Sequence, residues 1–377
     1  MKSRKLFTPG PTAVPHQVLE TMARPLIHHR TPEFRAILEE ATKSLQYVYR
    51  TRNPVLVLTA SGSGAMEAAV VNLTRPGEKA LVTVVGKFSE RWREVGEAYG
   101  LDLVVLEGKW GEPIPLERVK AAFEAESDIS IVLTTHCETS TGVLQDVEGI
   151  SRIAHRNGAL IVVDGITSLG AQQVETDGWN LDVVIGGSQK GFMTPPGLAF
   201  ISVSEAAIER MERAGHPVYY FDLKRALASH EKGDTPWTPA LNLVIALNEA
   251  LRMMKEEGLD NVIARHTRNA RAVRAAVKAL RLKLFATAPA NATTAVIFKD
   301  GRADDVRKHL DERYGIKIAG GQGEVKGKII RLGHLGFYHE VDMYTLIAAL
   351  EATLCDLGIT DAAGKGIDAL LRSYRRK

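Results

Sequence analysis

The sequence predicts an α/β protein: a doubly wound, mostly parallel sheet followed by a smaller α+β portion. Three observations carry that expectation. From residue 55 to about 203, short runs of Val, Ile and Leu alternate with stretches of helical periodicity, the rhythm of βαβ units. Several of those runs are continuous in their apolar character, which marks strands buried on both faces. Beyond Gly258, strands become sparse among longer helical patterns.

Seven strands are expected in the first part, at Val55–Leu58, Ala80–Val85, Leu103–Leu106, Ser130–Thr134, Leu160–Val163, Asp182–Ile185 and Leu198–Val203. Helices are expected between them at Ala65–Leu73, Phe88–Tyr99, Leu116–Glu124 and Val147–Arg156, where apolar residues recur every turn. A further helix runs from Ala240 to about Glu257 and closes on Gly258, a residue free to leave the helical path. The second part reads as helix His266–Leu280, strand Thr294–Phe298, helix Ala303–Tyr314, strand Lys328–Leu332 and helix Val341–Leu357. No repeat or low-complexity linker separates the two parts, so a firm interface with a cleft is expected.

Length and composition narrow the function. A chain of 377 residues exceeds a typical single core, which predicts two domains. A net charge of +3, without a dense basic block, excludes the electrostatic footprint of a nucleic-acid binder. The basic clusters Lys2–Lys5 and Arg372–Lys377 read as solvated tails. Two cysteines, Cys137 and Cys355, cannot make a disulfide framework and lack zinc-site spacing. Adjacent His28 and His29 do not share a helix face, so no metal site is expected. The N-terminus has no apolar leader and no run approaches a membrane span. A cytoplasmic protein without membrane contact is expected.

Ligands of doubly wound sheets gather at the carboxyl ends of the strands, and the unusual polar residues lie there. Leu160-Ile-Val-Val-Asp164 ends in a carboxylate, and Asp182-Val-Val-Ile-Gly-Gly-Ser-Gln-Lys190 ends in an amine. A lysine able to form a Schiff base, beside an acid able to hold a pyridinium nitrogen, is what pyridoxal phosphate requires. Two ordinary loop residues would read the same way. Gln189 and Ser188 could hold a phosphate or the loop itself. Thr59-Ala-Ser61-Gly62-Ser63-Gly64-Ala65 follows a strand and opens a helix. Such a turn suits one phosphate monoester, because glycines admit close approach and the helix start favours negative charge; a plain capped turn is the alternative. The run Thr135-His136-Cys137-Glu138-Thr139-Ser140-Thr141-Gly142 brings hydroxyls to another strand end. Phe88, at a strand-to-helix turn, could stack on a flat ring or serve as a core residue. Arg331, in Lys328-Ile-Ile-Arg331-Leu-Gly, suits capture of a carboxylate or a surface ion pair.

Taken together, these pieces resemble the class V pyridoxal-phosphate-dependent aminotransferases, in particular the alanine/serine–glyoxylate (serine–pyruvate) branch. The similarity runs from Thr8-Pro-Gly-Pro11-Thr to Arg331-Leu-Gly-His-Leu-Gly336, and it includes Asp164, Gly187-Ser-Gln-Lys190, Pro195-Pro-Gly197 and Thr139-Ser-Thr-Gly142-Val-Leu-Gln145. The resemblance implies fold type I, with a seven-stranded sheet, a smaller C-terminal domain, and a homodimer with shared active sites. It implies that Lys190 is the Schiff-base lysine and Asp164 the partner of the pyridine nitrogen. Ser63, Gly64, Ala65 through its N–H, and Gln189 would hold the phosphate, joined by Thr238 of the other subunit. Phe88 and Ile166 would flank the cofactor ring, and Thr139 would sit near its phenolic oxygen or the substrate. Arg331 and the backbone near Gly10 would bind the substrate carboxylate. Ala65, Thr235 and Phe88 stand where some relatives carry histidine, tyrosine and tryptophan.

The expected activity is transfer of an amino group from alanine or serine to glyoxylate or pyruvate, both small-molecule substrates. A 2-aminoethylphosphonate–pyruvate transaminase and a noncatalytic subunit on the same fold are the alternatives. The expected division is an N-terminal segment lining the site (1–16), a large domain (17–257) and a small domain (258–377). His28–Phe34 also resembles a segment of microbial relatives near the cleft or subunit interface.

Overall fold

The computed structural model describes residues 4–375. Its centre is a seven-stranded sheet of β1 (Val55–Thr59), β2 (Lys79–Val84), β3 (Asp102–Glu107), β4 (Ile131–Thr135), β5 (Leu160–Asp164), β6 (Val183–Gly187) and β7 (Leu198–Val203). The order across the sheet is β1-β7-β6-β5-β4-β2-β3. Neighbours from β6 through β5, β4 and β2 to β3 are parallel, whereas β7 runs antiparallel to both β1 and β6.

The continuous apolar runs are explained by cover on both faces. In β5, Ile161 and Val163 enter one core while Val162 enters the other; in β6, Val184 opposes Val183 and Ile185 in the same way. This is the two-residue period of a strand with helices on each side. Helices Pro32–Tyr49, Leu116–Ala125, Val147–Arg156 and Leu241–Glu257 line the first core, and Gly62–Leu73 and Glu205–Met211 line the second.

After Gly258, helix Leu259–Ala279 leads to a four-stranded antiparallel sheet ordered Lys283–Leu284, Thr293–Ile297, Ile329–Gly333, Ala319–Gly320. Helices Ala303–Tyr314, Glu340–Asp356 and Lys365–Arg375 complete its core. The start of the chain joins this part: Lys5–Leu6 pairs in parallel with Ile316–Lys317, and Phe7 is buried in the same core.

Several elements differ from expectation. Helix Pro32–Tyr49 was not foreseen, although Thr31 caps it by accepting from Phe34 N–H at 3.3 Å and Pro32 opens it. The C-terminal basic cluster is not a tail as far as Arg375. It forms the end of a helix whose Leu370 is fully buried, because Ile367, Leu370 and Tyr374 recur at helical spacing beneath the arginines. Lys5 is likewise held in a strand; Lys2, Arg376 and Lys377 lie outside the described residues. The helix expected from Phe88 begins at Glu90. Among the described residues, no helix is long and apolar enough to cross a membrane.

Candidate active site

The sheet gathers the candidate side chains at one end of its strands. Asp164 is the last residue of β5, and Ser188-Gln189-Lys190 follows β6 directly. The glycine turn after β1 opens helix Gly62–Leu73. Phe88 lies in the turn after β2, and Thr139 follows β4. Arg331 arrives from the C-terminal sheet, where its Nη1 donates to Thr139 O at 3.0 Å and its Nε to Gly320 O at 2.9 Å. The cleft is closed from a third side by the N-terminal segment, since Lys190 Nζ donates to Pro9 O at 2.6 Å. Gly10 has φ +123°, and a Cβ there would lie 2.5 Å from the Lys190 Cδ, Cε and Nζ atoms. Only glycine leaves that amine its place.

Lys190 and Asp164 are both buried, and burial moves both away from their usual charge states. Burial lowers the Lys190 amine to about 8, with the Arg331 cation adding to the effect. Burial raises the Asp164 carboxyl to about 7; the Ile166 N–H, 2.9 Å from Oδ1, opposes the shift and Glu138 reinforces it. A cation placed against Asp164 would restore its charge. Burial also lowers Arg331, to about 10, so it remains cationic at neutral pH. It is 6% exposed and has no carboxylate partner among the described residues.

The remaining candidates form a cradle. A Cβ on Gly62 would collide with Ile166 Cδ1, and one on Gly64 would lie 2.9 Å from Phe221 Cζ. The loop is therefore packed to its backbone. Its first N–H groups, at Gly62 and Ser63, have no partner within the helix, while those of Gly64 and Ala65 donate to Ser61 O at 2.9 and 3.4 Å. Gln189 Oε1 is buried without a hydrogen bond. Phe88 stands with its ring centroid 5.8 Å from Lys190 Nζ. Thr139 Oγ1 shares a 2.6 Å hydrogen bond with Thr167. Ser188 holds its loop: its hydroxyl donates to Pro195 O at 2.7 Å. Thr238 stands apart: it is exposed and, among the described residues, shares no hydrogen bond with this group.

Sequence reasoning missed two residues here. Glu138, fully buried, accepts from Phe88 N (3.2 Å), Ser89 N (2.7 Å), Ser140 N (3.0 Å) and Ser140 Oγ (2.6 Å). It fastens the Phe88 turn to the Thr139 loop, which is why the helix starts after Ser89. A carboxylate within a hydroxyl run at a strand end was the available signal. Arg91 is the other, with Nη1 donating to Ser63 Oγ at 2.8 Å.

A family model described as aminotransferase class-V matches residues 5–335. This chain is a class-V aminotransferase. The aminotransferase is 36% identical over 380 residues to an L-aspartate–glyoxylate aminotransferase of Paracoccus denitrificans, covering 98% of this chain and 96% of that one. It is 44% identical over 375 residues to a protein of Anabaena cylindrica named soluble hydrogenase 42 kDa subunit, covering 98% of each. A solved alanine–glyoxylate aminotransferase from Nostoc sp. superposes with a TM-score of 0.90 at 33% identity, over 94% of this chain and 96% of that one.

The cofactor of the aminotransferase is pyridoxal phosphate, and the residues present fit it. The site offers a buried amine, an unpartnered buried Gln189 Oε1, a carboxyl that a cation would ionise, and a backbone cradle closed to any Cβ.

Proposed function

We propose that this aminotransferase moves an amino group from a small L-amino acid, alanine or serine, to a small 2-oxo acid, glyoxylate or pyruvate. Arg331 carries the reading. A buried guanidinium whose hydrogen bonds, among the described residues, go only to two carbonyl oxygens is matched by an anionic substrate group, and an α-carboxylate is common to both donor and acceptor. Glyoxylate is named for both aminotransferases compared above, while their donors differ.

Pyridoxal phosphate supplies the electron sink that makes the α-proton acidic. In this reading Lys190 holds the cofactor, with Ser63, Gly64, Ala65 and Gln189 on its phosphate and Phe88 and Ile166 flanking its ring. Asp164 keeps the pyridine nitrogen protonated: the raised pKa of this carboxyl falls once a cation faces it. Lys190, lowered towards neutrality, accepts the proton from the donor's α-carbon and returns it on the other side of the transfer. Arg331 orients the carboxylate, and the backbone at Gly10 closes over it. The second half of the reaction runs the same steps in reverse with the oxo acid.

The reading includes a homodimer in which Thr238 completes the partner's phosphate site. Its support is the position of Thr238 on an exposed loop beside the half-exposed Tyr220 and the exposed Tyr219. It also includes the division into residues 1–16, 17–257 and 258–377, and a cytoplasmic location consistent with two free cysteines.

The testing experiment records the visible absorbance of the cofactor-loaded protein while amino acids are added singly, without acceptor. A shift with alanine or serine supports the proposal and ranks the donors. A response to 2-aminoethylphosphonate alone would select a phosphonate transaminase. The hydrogenase name of the Anabaena relative favours a second reading, a noncatalytic subunit. Absence of any band after adding the cofactor would select it.

A further inference from the structure

We propose that Arg91 is the cation that neutralises the cofactor's phosphate, a role that the sequence of the phosphate loop leaves unfilled. This rests on the phosphate-loop reading above. The loop Thr59–Ala65 contains no charged side chain. A phosphate monoester carries about −1.5 to −2 charges near pH 7, and the start of a helix offers only about half a positive charge. A further cation nearby would balance the remaining charge.

Arg91 is placed to provide it. Its Nη1 donates to Ser63 Oγ at 2.8 Å, so the guanidinium already touches the loop. Its neighbours have carboxylate partners: Lys87 pairs with Glu90 at 2.6 Å, and Arg93 pairs with Glu107. Arg91 has no such partner within 4.0 Å among the described residues. It is also the second residue of helix Glu90–Ala98, where a cation opposes the helix dipole. A half-buried, unpaired arginine in an unfavourable helical position is what an anion-binding residue looks like before its ligand arrives.

The placement has a structural cause. Glu138 fixes the N–H groups of Phe88 and Ser89, which sets where the helix begins and where Arg91 projects. The guanidinium carbon lies 5.4 Å from the Phe88 ring centroid, so one turn positions both the stacking aromatic and the cation. The charge of Arg91 also reaches Asp164, whose carboxylate form it favours. Of five guanidinium N–H groups, one is used on Ser63 and the others can face a phosphate in paired fashion.

The test compares pyridoxal phosphate with pyridoxal, which lacks the phosphate, by titrating each into cofactor-free protein and following tryptophan fluorescence. For Arg91→Met, affinity for pyridoxal phosphate is expected to fall about ten- to a hundredfold, while affinity for pyridoxal stays unchanged. Arg91→Lys should recover part of the loss. The proposal is overturned if Arg91→Met binds pyridoxal phosphate like the parent. It is equally overturned if both ligands weaken by the same factor, which would mean that Arg91 only supports Phe88. If the parent itself fails to distinguish the two ligands, the phosphate-loop reading falls and takes the proposal with it. Should Arg91→Met not fold, as judged by its urea midpoint, Arg91→Lys and Arg91→Gln decide by the same ratio.

Discussion

Replacing Arg331 with Gln removes one charge and leaves a side chain still able to donate to one of the two carbonyls. The guanidinium is 6% exposed and bonded to Gly320 O and Thr139 O. A substrate carboxylate reaching it therefore makes a hydrogen-bonded charge pair largely shielded from water. Truncating one partner of such a pair costs about 2–5 kcal/mol. At about 1.4 kcal/mol per factor of ten, kcat/KM for alanine should drop by about thirtyfold to several thousandfold. The assay is the first half-reaction followed by absorbance, run in parallel with ethylamine, which is alanine without its carboxylate. Structural damage from the lost Thr139 and Gly320 contacts would slow both amines together, so the ratio of the two isolates the carboxylate term. Arg331→Lys should restore a minority of the loss, since an ammonium cannot span both carbonyls and the substrate. Equal decline of alanine and ethylamine, or an alanine value within about threefold of the parent, would refute the assignment.

Other consequences are open to measurement. Lys190→Ala should abolish the reducible covalent adduct with pyridoxal phosphate, and trapping by borohydride on that variant would move the Schiff base elsewhere. Gly10→Ala should cut turnover severely, because the new Cβ occupies the Lys190 side chain's position and the backbone there has φ +123°; a variant with normal turnover would show that the N-terminal segment does not confine the amine. Burial raises the Asp164 carboxyl to about 7, above the ordinary aspartate value of about 3.9, so stability present below about pH 4 is lost as pH climbs to about 7. Asp164→Asn should therefore melt higher than the parent in cofactor-free form at pH 8 while losing activity, and an unchanged melting temperature would contradict the buried-carboxylate account. Lys190 runs oppositely: its amine is lowered to about 8, so cofactor-free parent protein should gain stability between about pH 8 and 10, and Lys190→Met should erase that gain.

The fold was legible because the central strands, such as Ile131–Thr135, Leu160–Asp164 and Val183–Gly187, are buried on both faces, which favours continuous runs of Val, Ile and Leu. Strand ends were legible for a related reason: Asp164 and Lys190 interrupt apolar sequence where burial would otherwise exclude charge. What escaped notice depends on contacts between distant segments. Glu138 is a clamp only because Phe88 and Ser89, some fifty positions earlier, present N–H groups to it. Arg91 carries no signal in the sequence; its part shows only in the contact of its guanidinium with Ser63 of the glycine loop. Helix Lys365–Arg375 was hidden by its own basic face, since charge at the chain end reads as a tail unless the buried Leu370 stripe is weighed first.

The Pro9 carbonyl that receives the Lys190 amine sits on a segment synthesised well before the residues that hold it. Lys5 and Leu6 pair with Ile316 and Lys317, Phe7 O accepts from Gly333 N–H at 2.7 Å, and Thr12 N–H donates to Gln189 O at 3.2 Å. During synthesis Ile316, Lys317 and Gly333 emerge long after residues 5–12, so the seven-stranded sheet can assemble while its amine is still uncovered. Contacts of such long sequence separation form late. Cofactor present during synthesis would then meet a site that this segment does not yet cover. Loading rates for nascent and finished protein should accordingly differ far more than their final affinities.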